Sequence, residues 1–305
     1  MSEEEVIVGR ESLWTKSGRK LLRDRAGVAA MVVVGIYGII ALLVSFGVIA
    51  QDWDKLGEEG FEGMSAAHWF GTNINGQDIF ARALQGIKTA FQVGVVVAIS
   101  ATAIGGILGA IAGYFHRTIV DEVIMWIYGC IDAIPFYLFV AAVAFALKGA
   151  EFTVPVLDLH ISLAPYAMHI AMIATFWSST CRIVRGEVIK IRGLEYIQAA
   201  KAIGVGPLTI IRRHVMPNTS HLLLVQSTIA FVGAIKSEVI LTFLGLGVKE
   251  GVSWGIMLSE SINDVLRGHM GNFLGASGFL FLLVIAFNMF ADALQDALDP
   301  KKVSG

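Results

Sequence analysis

Six long runs almost free of charge dominate this chain, and they restrict its fold more than any other feature. Gly27 to Ala50 holds no Asp, Glu, Lys or Arg from end to end, and a helix of that length, rising about 1.5 Å per residue, crosses a hydrocarbon core of roughly 30 Å. Ala90 to Phe115, Val123 to Leu147, Leu163 to Thr180, Leu222 to Phe243 and Phe273 to Phe290 are similar. Asp132 falls inside the third run, and Lys236 and Glu238 fall inside the fifth. In lipid every backbone N–H and C=O needs an internal partner, which a chain of long apolar runs supplies by forming helices. A transmembrane barrel would show short alternating segments instead. With 55% hydrophobic and 16% charged residues, the 305-residue chain lacks the surface of a soluble globule. The sequence predicts an all-α integral membrane protein with six transmembrane helices.

Orientation follows from the basic residues. The leader before Gly27 holds Arg10, Lys16, Arg19, Lys20, Arg23 and Arg25, and the connection after the fourth run holds Arg182, Arg185, Lys190, Arg192, Lys201, Arg212 and Arg213. Lysine and arginine near span ends stay in the cytoplasm, so both segments are expected there. Six spans then place Lys301 and Lys302 inside as well, and put the loops Gln51 to Thr89, Lys148 to Ser162 and Gly245 to Asn272 outside. The organisation read from this is a cytoplasmic leader 1–26, a first span with its outer loop 27–89, a core 90–292 that includes a cytoplasmic loop 181–220, and a cytoplasmic tail 293–305. The first run is longer than a signal-peptide core and is expected to remain as an anchor.

Several chemistries are not offered. A net charge of −2 provides no basic field for nucleic acid. Cys130 and Cys181 are too far apart for a CxxC site and read as packing residues. The seven histidines show no metal-binding spacing, and there is no GxxxxGK[ST] loop to cradle phosphates and no GxSxG turn to present a nucleophile. No catalytic residue, metal or bound cofactor is expected on this chain.

The connection from Glu195 to Asn218 reads EYIQAAKAIGVGPLTIIRRHVMPN. Glu195 to Ile203 is a good helix former that Gly204 and Gly206 interrupt, and Pro207 restarts a helix as a first-turn residue. Leu208, Ile211 and Val215 form one apolar stripe, with Arg212 and Arg213 pointing elsewhere. Two short helices at an angle are predicted, exposed and in need of a surface to dock on. The stretch resembles the coupling loop of ATP-binding-cassette importers, whose pattern is EAA, three residues, Gly, nine residues and I-x-L-P. The matching residues are Gln198, Ala199, Ala200, Gly204 and Pro217, with Gln198 in place of the acid, Glu195 one turn earlier, and His214 and Met216 in place of Ile and Leu. That resemblance implies that Glu195 to Pro217, Arg212 included, sits in a cleft of a separate ATPase subunit.

Four more segments carry the same resemblance in the expected order, and narrow it to the dipeptide, oligopeptide and nickel permeases. HWFGTNINGQDIFARALQG matches H-x-x-G-T-D-x-x-G-R-D-x-x-x-R-x-x-x-G through His68, Gly71, Thr72, Gly76, Asp78, Arg82 and Gly86, with Asn73 and Gln77 replacing an acid and an arginine. From the residues alone, Asp78 and Arg82 at i, i+4 can pair on a helix within an outer scaffold, with direct ligand contact as the alternative. Gly113, Tyr114, Asp121 and Asp132 match the next motif, His116 and Arg117 standing where the family has glycines. An acid in an apolar helix is costly unless it faces protein or a water path, and Pro135 frees a carbonyl nearby, so Asp132 and Pro135 are path candidates. The residues leave open whether Asp132 lines a path or bonds a neighbouring helix. EVILTFLGLG with SWGIML, and FNMFADALQDALDP, complete the set. Glu238 is a further path candidate that can pair with Lys236 or Asp132, and Lys236 can also snorkel outward.

The resemblance implies a type I importer permease fold in a bacterial inner membrane. It also implies partners: a second homologous permease, two ATPase subunits that carry ATP and Mg, and a periplasmic or lipid-anchored substrate-binding protein. The cargo implied is a peptide or a nickel chelate. The residues themselves still admit a proton-coupled transporter using Asp132 or Glu238, or a scaffold with no path.

Overall fold

The computed structural model describes residues 13–147, 151–154, 159–247 and 251–298, and within them the chain is a bundle of helices with one small hairpin. Its helices are α1 (Leu13–Arg23), α2 (Arg25–Ser45), α3 (Ile79–Tyr114), α4 (Ile119–Asp132), α5 (Phe136–Ala146), α6 (Ala167–Ile191), α7 (Glu195–Ala202), α8 (Pro207–Ile210), α9 (Met216–Phe243), α10 (Trp254–Leu266) and α11 (Gly271–Leu298). The antiparallel strands β1 (Glu151–Val154) and β2 (Leu159–Ser162) lie between α5 and α6. Glu3 to Glu5, Arg10, Lys301 and Lys302 lie outside the described residues.

Among the described residues four helices are long and apolar enough to cross a membrane, or five if one bent pair counts as a span. They are α2, α3, the continuous helix Pro207–Phe243, and α11. The third predicted span is the bent pair: α4 and α5 meet at 94°. Pro135, which has no N–H to donate, stands at the N-cap of α5. α6, at 25 residues, has the length of a span but lies outside that set.

Boundaries moved where side chains cap. Asp24 accepts from the Ala26 N–H at 3.0 Å and starts α2. Asp78 accepts from the Ala81 N–H at 2.9 Å, so α3 begins well before the expected Ala90 and reaches 36 residues. α6 runs on past Thr180 to Ile191, and α11 past Phe290 to Leu298.

The centre of the bundle is α3, with α6 and α9 on either side. Gly105, Gly109 and Gly113 stand four residues apart on one face of α3. A Cβ at these positions would lie 2.4 Å from the Trp177 carbonyl oxygen, 2.6 Å from that of Cys181 and 2.7 Å from the Val188 Cβ. Small residues at this spacing let two helix backbones approach where lipid supplies no hydrophobic drive between them. Cys181 is buried in that contact as expected, whereas Cys130 is exposed on α4. A second core joins α3, α9, α10 and α11 around Ile87, Phe231, Trp254, Met257 and Leu283.

Candidate functional site

The stretch from Glu195 to Pro217 forms α7, a turn, and α8. Gly204 has φ +86°, a conformation that disfavours any side chain, and this reverses the chain between the two helices. The expected second short helix does not end at Pro217. α8 passes through a π-helical turn, Ile211–Val215, into α9 without a break. Pro217 follows that turn, where a wider backbone accommodates a residue that cannot donate to the turn before it. The wider turn also shifts the phase of the apolar stripe. Ile210, Ile211 and Val215 are buried, while Leu208, expected in the stripe, is 76% exposed.

The unit is held at several points. Ile197, Ile210 and Val215 pack with Ala110, Tyr114, Val184 and Val188 of α3 and α6. The Gln198 amide donates to the Arg192 carbonyl at 2.7 Å, and the Arg192 guanidinium donates to the Tyr114 carbonyl at 2.9 Å. Asn218 donates to the Tyr196 hydroxyl at 3.0 Å and to the His214 carbonyl at 2.6 Å, tying α7 to the start of α9. Lys201 Nζ lies 5.1 Å from the centre of the Tyr114 ring, and burial followed by the Arg192 charge lowers its pKa from the ordinary lysine value. Glu195, Ala199 and Arg212 are exposed, as are Ile203 at 81% and Leu208.

Beside this unit lies a cluster that the motif reading touched at Asp121, His116 and Arg117 without joining them to Arg185. The Asp121 carboxylate receives Arg185 Nε at 2.6 Å and Nη2 at 2.9 Å, His116 Nδ1 lies 2.8 Å away, and the Arg117 N–H donates at 3.1 Å. Such a two-pronged guanidinium contact fixes geometry as well as charge. It joins the α3–α4 turn to α6 seven residues before Arg192. Arg117 has φ +65°, which accounts for a glycine being the residue the motif expects there. Arg185 was visible in the sequence only as one basic residue among many.

At the opposite end of the bundle, the motif from His68 to Arg82 folds as a cap on α3. Gly71 and Gly76 take φ +74° and +70°. Thr72 Oγ1 accepts from the Glu62 N–H at 2.8 Å, and His68 Nδ1 lies 2.7 Å from Asp78 Oδ2. The Asp78–Arg82 pair that the spacing allows does not form among the described residues. Asp78 is turned back as the N-cap, and Arg82 instead bonds Glu260 of α10 at 2.7 Å and the Gln77 side chain. Asn73 and Gln77, the two departures from the family pattern, bond each other at 2.8 Å. α10 is tied in further by Trp254, whose indole N–H donates to the Ala83 carbonyl at 3.0 Å, and Asn272 donates to Asp264 at 3.3 Å.

The path candidates separate. Asp132 is exposed at the end of α4, with the Tyr128 hydroxyl 3.4 Å away, and Pro135 follows it in the bend. Glu238 is 1% exposed between α9 and α10, where Thr242 donates to it at 2.8 Å and Ser253 also bonds it. It pairs with neither Lys236 nor Asp132 among the described residues. Lys236 is exposed on the other side of α9.

These features define a multi-pass helical membrane protein whose longest span is continuous with an exposed helical unit at one end. Residues 105–304 match the family described as "Binding-protein-dependent transport system inner membrane component". The chain belongs to that family, and is a permease component rather than an enzyme. It is 34% identical to the dipeptide transport system permease protein DppC of Bacillus subtilis, across 93% of this chain and 84% of that one. It is 32% identical to the oligopeptide transport system permease protein OppC of the same organism, across 95% and 90%. To the glutathione transport system permease protein GsiD of Pectobacterium atrosepticum it is also 32% identical, across 94% and 91%.

Proposed function

We propose that this chain is one permease subunit of an importer for peptides, with a nickel chelate as an alternative cargo. It forms the path with a second homologous permease and receives cargo from an external binding protein. ATP and Mg are handled by two ATPase subunits that dock on Glu195–Pro217. On this reading the chain spans the membrane six times, α6 and the α4–α5 pair each counting once. Both termini and the α7–α8 unit are cytoplasmic, and the His68–Arg82 cap is outside. The names of the relatives support the peptide class.

The observation that carries the coupling role is the unbroken helix Pro207–Phe243, which joins an exposed apolar tip at Leu208 to a segment long and apolar enough to cross a membrane. Asp132 and Pro135, at the break between α4 and α5, are the path residues on this reading, and Glu238 holds α9 to α10 from within. A Gly204→Pro substitution tests it. Proline cannot adopt the positive φ found there, so α7 and α8 lose their relative placement. Membrane insertion is expected to persist while ATP-driven peptide uptake is lost. Uptake at the wild-type rate in that variant would remove the coupling role.

A further inference from the structure

Lys236 is the feature that none of the preceding roles absorbs. It lies on α9 seven residues before Phe243, about 10 Å along the helix from that end. Its side chain has no hydrogen bond or ion pair among the described residues. α3 covers one side of α9, α10 packs on another, and α6 and α11 flank it. On the remaining side Ile229, Lys236, Ile240 and Phe243 follow one another at helical spacing, all of them exposed. An ionisable residue at membrane depth faces a bundle interior or a water-filled cavity, since lipid offers it no partner. A lysine this near a helix end can also extend along its own stem, so the uncovered side of α9 is turned toward water, another chain or the outer interface.

Beside Lys236 runs a groove of about 580 Å³ between α9 and α11, walled by Leu274, Leu280, Phe281 and Val284. Gly278 forms part of its floor and has nothing within 4 Å of where a Cβ would stand, so the space is open. A single ammonium at the edge of an apolar groove is complementary to a carboxylate whose neighbouring group is apolar.

We infer that Lys236 is a subsite of the translocation path that takes the C-terminal carboxylate of the transported peptide, the groove receiving the adjoining apolar side chain. This rests on the peptide-permease reading above. Lysine supplies a point charge on a flexible stem, suited to a carboxylate that passes through rather than stays.

The test uses the assembled transporter, with its ATPases and binding protein, reconstituted in vesicles. Uptake of one apolar peptide is compared with uptake of its C-terminal amide, in the wild type, Lys236→Met and Lys236→Arg. The change in the ratio on mutation is read, which cancels any preference of the binding protein. Lys236→Met is expected to slow the free-acid peptide about tenfold, the scale of one charge-assisted hydrogen bond, and to leave the amide unchanged. Lys236→Arg should keep most of the preference. In a Cys130→Ser background, Lys236→Cys should react with a membrane-impermeant thiol reagent. Equal slowing of both peptides would overturn the subsite and point to an ion pair with the second permease. No slowing, or no labelling, would overturn it as well. Failure of the wild type to move either peptide would instead remove the peptide reading, and the subsite with it.

Discussion

The Asp121–Arg185 contact allows a prediction worked from the structure. Three donor atoms outside α4's own helix bonds meet this carboxylate within 3.1 Å, with His116 Nδ1 beside them, and the aspartate side chain is 5% exposed. Removing one partner of a buried ion pair costs about 3–5 kcal/mol, because the other charge stays behind without compensation. Two features lower that figure for Asp121→Asn. The Arg185 side chain is 24% exposed, so water reaches part of the guanidinium, and the asparagine oxygen still accepts from the Arg117 N–H. A loss of about 2–3 kcal/mol is expected. By the scaling of soluble domains that lowers the melting temperature by on the order of 5 °C, readable from the intrinsic fluorescence of the purified protein.

Two comparisons make the number specific. Arg182 lies one turn earlier on α6, exposed, bonding only the Tyr128 hydroxyl at 3.2 Å, so Arg182→Met should stay within about 0.5 kcal/mol of wild type. Combining Asp121→Asn with Arg185→Met should cost less than the sum of the two by about 1.5 kcal/mol, since each already removes the same contact. If Asp121→Asn is no worse than Arg182→Met, or if the double variant is additive, the pair does not hold the α3–α4 turn to α6 and the reasoning fails.

Gly86→Ala would place a Cβ 2.5 Å from Trp254 Cδ1 and Nε1, so overpacking of about 1–3 kcal/mol is expected, with loss of the indole bond to Ala83. Gly129→Ala, with nothing within 4 Å, is the control and should not lower the melting temperature. Gln198→Glu replaces the amide that donates to the Arg192 carbonyl with a carboxylate that cannot donate, which should weaken the α7 anchor by about 1 kcal/mol. Hydrogen exchange over 195–202 should quicken about fivefold, and unchanged exchange would show that the amide does not anchor α7.

Much of the fold was legible because lipid leaves few options for a backbone. The runs around α2, α3, α9 and α11 were found from apolarity alone, and the five motif segments identified the family. What escaped depends on phase and direction rather than composition. The π-helical turn at Ile211–Val215 exchanged Leu208 for Ile210 in the buried stripe, and the one residue that hints at a wider turn, Pro217, lies just past it. Asp78 and Arg82 have the spacing of a helix pair, but an aspartate at an N-cap is turned toward the helix's own N–H groups and is lost to a partner one turn later. The partner Arg82 takes instead, Glu260, is distant in sequence, as Arg185 is from Asp121. Pairing across such separations leaves no local pattern. Gln198 looked like a defect in the coupling motif, and the structure gives it a use that an acid could not fill.

The placement of these anchors also says where the molecule can bend. α7 is fixed to α3 and α6 through Gln198, Arg192 and Tyr114, and the α3–α4 turn is fixed to α6 through Asp121. α8 is held by buried Ile210, which packs against α3 and α6, and among the described residues it makes no side-chain hydrogen bond to them. Along Pro207–Phe243 the one departure from α geometry is the turn at Ile211–Val215, so a displacement of Leu208 enters α9 through that turn. Beyond Lys236, Glu238 bonds Thr242 and Ser253, and α10 is bonded to α3 through Trp254 and Arg82. That end is therefore stiff. Compliance is left to Gly204, the π turn and the 94° break between α4 and α5, and Asp132 stands at that break. A push at the exposed tip of α8 would accordingly be felt as a tilt of α9 about its α10 end, with the α8 end moving most and Lys236, two residues before Glu238, moving least.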